Sequence, residues 1–270
     1  MIPSLIYTTF IKNTVMDAVF TILHSSHFHL QDIKTHIVIK PNILSEQSPP
    51  KTTSVLVVQA IVLFLKKYFK NKIIIAEGCC TTEYTTDQLF KYHCYDLLSK
   101  YLDVELIDLN VAPSTKFTNP NALFLKEFYK PDILNDCYLI SVPTLKGHGT
   151  VGFTGSLKNL IGVAPAYCYK VDGHANKFAL HSDIHSAIVD INQYVKTNFS
   201  FMDASIGYKY HHINGVRYNP PLKELYCSYD PVAIDVYSCP KVSYKKWQDI
   251  KYIVNLDGVI GTSNFEVIEC

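Results

Sequence analysis

Between residues 142 and 165 the chain gathers side chains suited to chemistry. Lys146, His148, Thr154, Lys158 and Asn159 are interleaved with Gly147, Gly149, Gly152, Gly155 and Gly162. Lysines supply charge and donors for a carboxylate or phosphate, or for charge that develops during a reaction. Histidine moves protons near neutral pH. Glycines let the backbone turn sharply and approach a ligand, and consecutive amides can form an anion-binding concavity. The plain alternative is a Gly-rich surface loop with solvated lysines. Against it, loops that carry such groups are where function concentrates.

Further candidates stand where strands are expected to end. Lys40-Pro41-Asn42 places an ammonium and an amide at one strand terminus, for an anion or simply as a turn. Thr52 and Thr53 offer hydroxyls and helix N-terminal amides to an anion, or plain N-caps. Glu77 follows an apolar run and is a candidate base, metal ligand or lysine partner. Asp235 lies one turn inside a helix opened by Asp230-Pro231 and is a candidate lysine partner or cation ligand. His174 sits in a polar loop after the glycine-rich stretch. Together, Glu77, His148, His174 and Asp235 would make a mixed nitrogen and oxygen metal site. His181 and His185 have zinc-compatible i, i+4 spacing, but no glutamate adjoins the first, so capping and exposure explain them better. Cys79 or Cys80, after Glu77-Gly78, is a candidate nucleophile, though no partner for it is legible in sequence. His211-His212 carries no assignment.

The elements that must position these groups follow from hydrophobic period. Strands are expected at 4–10, 35–39, 72–76, 104–108, 137–142, 199–203 and 225–229, with a short antiparallel strand at 121–128. Helices are expected at 13–25, from Thr52, Thr53 or Ser54 to Tyr68, from Thr85 or Thr86 to Tyr101, at 183–195, from Asp230, and at 243–254. A turn and strand close the chain, and 206–222 reads as a Tyr/His-rich insertion. This alternation predicts an α/β fold, a mostly parallel sheet with helices on both faces. Ligands then bind in a cleft beyond the strand carboxyl ends. Lys40, Asn42, Glu77, Asp108, Lys146, His148, Asp203 and Asp230 are expected to share that rim. The expected organisation is one domain over 1–270, divisible into lobes of about 1–135 and 136–270.

Composition narrows the classes. Of the 270 residues, 48% are hydrophobic, enough for a core, and the net charge of +1 gives no electrostatic footprint for nucleic acid. No apolar run reaches membrane-spanning length, and the N-terminal segment from Met1 lacks the features of a secretory signal, so a cytoplasmic location is expected. The eight cysteines include no C-x-x-C pair, against a zinc ribbon or an iron–sulfur cluster motif.

Several of these segments occur together in a recognisable order: Lys40-Pro41-Asn42, Thr52-Thr53, Ala76-Glu77-Gly78, Val142 to His148, Phe153 to Gly162, His174, and Asp230-Pro231-Val232-Ala233-Ile234-Asp235. In this the chain resembles the DUF362 family, over nearly its whole length. Many members of that family carry a fused ferredoxin-like segment, which is not found in this sequence. The resemblance therefore implies at most a separate ferredoxin-like redox partner. The N-terminal half also looks similar in layout to the N-terminal domain of nickel-pincer lactate racemases. Cys79-Cys80 and the 206–222 insertion depart from the family pattern. The expectation is an enzyme acting on a small anionic organic substrate. Lys146, His148, Lys158 and Glu77 would be catalytic. Lys40, Asn42, Thr52, Thr53, Thr154, Gly155, Asn159 and His174 would bind substrate, and Glu77 and Asp235 are the divalent-metal candidates. The alternatives are a metal- or redox-associated protein and a non-catalytic ligand-binding module.

Overall fold

Most compact apolar runs become strands, and most helical periods helices, in the computed structural model, which describes residues 2–28, 30–174 and 176–270. Met1 of the N-terminal segment and Ala175 of the loop before His181 fall outside them. The order is β1 (Ser4–Phe10), α1 (Val15–Ser25), β2 (His36–Pro41), α2 (Val55–Tyr68), β3 (Ile73–Glu77), α3 (Thr86–Tyr92), α4 (Tyr95–Leu102) and β4 (Glu105–Asp108). Next come β5 (Ser114–Thr118), β6 (Glu127–Pro131), β7 (Cys137–Val142), β8 (Thr144–His148), β9 (Gly152–Thr154), α5 (Ser156–Asn159) and α6 (Ala166–Tyr169). The chain finishes with α7 (Ile184–Tyr194), β10 (Phe199–Lys209), β11 (Val216–Arg217), β12 (Glu224–Ser228), α8 (Pro231–Val242), α9 (Lys251–Leu256) and β13 (Phe265–Glu269). No helix among the described residues is long and apolar enough to cross a membrane.

The main sheet runs β13-β1-β12-β10-β7-β2-β3-β4. Neighbours along it are parallel except where β12 meets β1 and β10. Its inner strands, such as β2 and β3, are buried on both faces, as parallel strands under helices are, while the edge strands β13 and β4 are partly exposed. The alternation of side chains shows this directly. Ile37 and Ile39 of β2, with Ile73 and Ile75 of β3, enter a core with α1 and α2. Val38, Ile74 and Ala76 point the other way, into a core with α7, α8 and α9.

Four expectations are corrected. The helix expected through Tyr101 breaks at Cys94, whose backbone is left-handed at φ 63° and separates α3 from α4. The short antiparallel strand expected at 121–128 lies later, as β6 from Glu127, which pairs with β5 in a separate hairpin, with Phe117 opposite Phe128. The turn before β6 is held by Asp190, which accepts from the amides of Leu123, Phe124 and Leu125 at 2.7–2.8 Å. The helix expected at 243–254 is only α9, preceded by a 3-10 turn at Trp247–Asp249. Lastly, β12 runs against its neighbours, so Asp230 lies at the opposite end of the sheet from Asn42 and Glu77. There it caps α8 and accepts from Ser4 Oγ at 2.7 Å.

Candidate functional site

Adjacent parallel strands β2 and β3 end in opposite charges. Lys40 and Glu77 are 1% and 2% exposed, with Nζ 2.7 Å from Oε1. Burying two charges is costly unless the remaining donors and acceptors are satisfied. Here they are. Glu77 accepts from the amides of Ile43 (3.1 Å) and Gly78 (2.8 Å). Lys40 also donates to Pro41 O (3.2 Å) and Asn159 Oδ1 (3.3 Å), and Asn159 Nδ2 donates back to Lys40 O (3.1 Å). Burial lowers the Lys40 pKa, and Glu77 opposes the shift. Gly162 is required alongside, because a Cβ there would overlap Glu77 Oε1 and Lys40 Nζ. The pair is thus a closed knot joining β2, β3 and α5. It leaves Glu77 little capacity as a base or metal ligand, and Lys40 little as an anion holder.

Glu77 and Gly162 of this knot form part of the wall of a cavity of about 110 Å³ at the strand carboxyl ends. The period-two alternation of β8 puts Lys146 and His148 on one face, and β9 returns antiparallel with Thr154 opposite Lys146. Both lysines and Thr154 line the cavity, Lys158 arriving from the short helix α5. Lys146 is buried and donates to Asn42 Oδ1 (2.5 Å) and Lys51 O (2.7 Å), with no carboxylate partner. Its pKa falls to about 7, through burial first and the charge of Lys158 second. Burial also lowers the Lys158 pKa. Among the described residues the Lys158 ammonium has neither a hydrogen bond nor an ion pair. Thr154 Oγ1 is buried without a partner.

Three histidines line the same cavity, and their hydrogen bonds assign their tautomers. His148 Nδ1 accepts from the amides of Thr150 (3.2 Å) and Val151 (3.3 Å), so the ring proton is on Nε2. His212 Nδ1 likewise accepts from Gly149 N at 3.5 Å, and its ring stacks on His148 at 3.8 Å and 10°. Burial, then Lys158, drives the His148 pKa far down, and the same two causes bring His212 to about 3. Both are neutral donors. His181, at the rim, is the reverse: its Nδ1 meets Lys177 O at 3.3 Å and must donate to it, leaving a lone pair on Nε2. Burial and Lys158 lower its pKa too. In these tautomers His181 carries a lone pair on Nε2, whereas His148, expected to transfer protons, carries its proton there.

Of the other expected residues, Asn42 and Asn159 also reach the cavity. Thr53 does not; its hydroxyl donates to Val142 O (2.7 Å) and accepts from Asn42 N (2.9 Å). Thr52 is buried outside the lining, with an unpartnered hydroxyl. Gly155 begins α5, where a Cβ would overlap Asp235. Asp235 accepts from Ser156 N (2.6 Å) and Leu157 N (3.0 Å), with a pKa raised to about 7 by burial. Asp203 accepts from Ser54 N at the start of α2 (2.9 Å), and Asp108 accepts from Asn110 N (2.8 Å). His174 is exposed and stacks on Phe178 at 4.1 Å. His185 turns away to Tyr252. Glu77, His148, His174 and Asp235 thus do not converge. Among the described residues no three of His, Cys, Asp or Glu could share a metal ion, so this donor set does not fit one.

Three lining residues carried little or no signal in sequence: His181, His212 and Cys80. His181 shows only a helical spacing to His185. His212 is carried in by the extension of β10 to Lys209 and its pairing with β11, which no local pattern announces.

No curated protein matches the chain in sequence. Among solved structures it is similar to the lactate racemase apoprotein from Thermoanaerobacterium thermosaccharolyticum, at 16% identity and a TM-score of 0.48, over 79% of this chain and 53% of that one. The chain thus spans about half the length of that structure. Residues 37–240, which include every residue lining the cavity, match the family model described as "Domain of unknown function (DUF362)", and the chain belongs to the DUF362 family.

Proposed function

We propose that the cavity binds a small organic anion, a carboxylate or a phosphate, and that the protein is an enzyme acting on it. One observation carries this reading: Lys146 and Lys158 line the cavity without an ion-pair partner, because the one carboxylate in the lining, Glu77, is already paired with Lys40. A bound anion supplies the missing charge and an acceptor for Thr154 Oγ1, which is buried without a partner, and the Nε2–H of His148 is a further donor in the lining. Two groups can then move protons near neutral pH: Lys146, with a pKa of about 7, and His181 through Nε2. The cavity volume restricts the substrate to a few non-hydrogen atoms within the site, with any larger part projecting past His181.

Calorimetric titration of the full chain with sulfate, inorganic phosphate and short-chain carboxylates tests this. The expected result is saturable binding of at least one anion at one site per chain, abolished or strongly weakened in Lys158→Met. Absence of binding by every anion at low ionic strength would overturn the reading. Turnover is tested separately, by following deuterium incorporation from heavy water into bound carboxylates.

A further inference from the structure

We propose that Cys80 is the nucleophile of this cavity, attacking a small carboxylate or phosphate that bears an electrophilic carbon; this rests on the anion-site reading above. Cys80 lies just past the end of β3, is half-buried, and lines the cavity with Lys146, Lys158 and Thr154. It borders the same space as the two lysines that no carboxylate holds, so its surroundings are electropositive. Reactive cysteines occupy such electropositive, partly accessible positions. The adjacent Cys79 shows the contrast. It is buried, bonded to Thr86 Oγ1 and Tyr84 O, and its pKa is raised by burial.

The second observation is Thr154, 3% exposed, whose unpartnered hydroxyl lines the same cavity and calls for a ligand oxygen. An anion held by Thr154, Lys146 and Lys158 would sit within the space that Cys80 borders. The step balances with groups on hand. The thiol proton passes to His181 Nε2, and the sulfur electron pair forms the S–C bond. At a carbonyl carbon, the π pair moves to oxygen, which takes the proton back from His181.

The test uses two small alkylating agents of opposite character, iodoacetate and iodoacetamide, on the full wild-type chain. In both, the S–C bond forms as the C–I bond breaks and iodide leaves. Rates at each cysteine are read by peptide mass spectrometry, with exposed Cys94 as the internal reference. The iodoacetate-to-iodoacetamide rate ratio at Cys80 should exceed that at Cys94 by about tenfold or more, the scale on which a charged cleft concentrates a small ion. Sulfate should suppress the excess at Cys80 alone, and Lys158→Met should bring the ratio down to that of Cys94. Equal ratios at the two cysteines, or no labelling of Cys80, would overturn the proposal. If sulfate still binds in calorimetry, only the nucleophile falls; if it does not, the anion site falls with it.

Discussion

Replacing Lys158 with methionine removes one ammonium from the cavity while keeping an apolar stem of similar length. In the anion-bound state that ammonium would make a charge-assisted hydrogen bond, worth about 1.5–3 kcal/mol. At about 1.4 kcal/mol per decade, sulfate should bind roughly 10- to 150-fold more weakly. A second effect runs through Lys146, whose pKa of about 7 is lowered partly by the Lys158 charge. Anion binding requires protonated Lys146, so wild-type affinity should fall as pH rises through about 7. In the variant the Lys146 pKa moves up, and the midpoint of that fall should move up with it. The unliganded protein reports the same coupling. The Lys146 pKa lies below its ordinary 10.5. Between about 7 and that value the unfolded chain therefore holds more protons, and stability rises with pH. The penalty for charging Lys146 is fully present below about 7. Lys158→Met should flatten this slope. Isothermal titration with sulfate from pH 6 to 9, with urea unfolding over pH 6 to 10, measures both effects. Unchanged sulfate affinity and an unchanged pH midpoint would refute the assignment of Lys158 to the anion.

Further consequences follow from the same contacts. Lys40→Met should cost about 3–5 kcal/mol in urea unfolding, because it leaves Glu77 buried without its partner; a loss below about 1 kcal/mol would mean that the pair is not the closed knot described. Asp235→Ala should destabilise by about 1–2 kcal/mol through the two freed amides of α5, the usual scale of a lost cap, without altering metal content. Long-range nitrogen-15 NMR should show His148 and His212 protonated on Nε2 and neutral down to pH 5, with His181 protonated on Nδ1; the opposite tautomer at His181 would remove it as the base.

Much of the site was legible because parallel strands impose a rule. Polar residues that follow buried apolar runs must emerge at the carboxyl end of the sheet, which is how Asn42 and Lys146 were found. The glycine-rich stretch with Lys146, His148 and Lys158 pointed to one wall of the cavity, but it read as a loop, and the strands β8 and β9 that it forms were not legible. Partnership was not legible. Nothing local shows that Lys40 and Glu77, 37 residues apart, neutralise each other across adjacent strands. Nor does it show that Asp235 caps α5 from another helix. Strand direction also escaped: Asp230 follows an apolar run as Glu77 does, but the reversal of β12 sends it to the far edge. The histidine roles depended on which backbone groups each Nδ1 meets, and this appears only once the loops at Thr150 and Lys177 are in place.

The most direct test of the anion-binding cavity is a crystal structure of the full chain grown in sulfate. The account predicts a sulfate with oxygens at about 3 Å from Lys158 Nζ, Lys146 Nζ and Thr154 Oγ1, the ordinary hydrogen-bond distance, with Lys40 and Glu77 still paired behind it. A cavity holding only water beside the two lysines, with sulfate bound elsewhere on the surface, would contradict it.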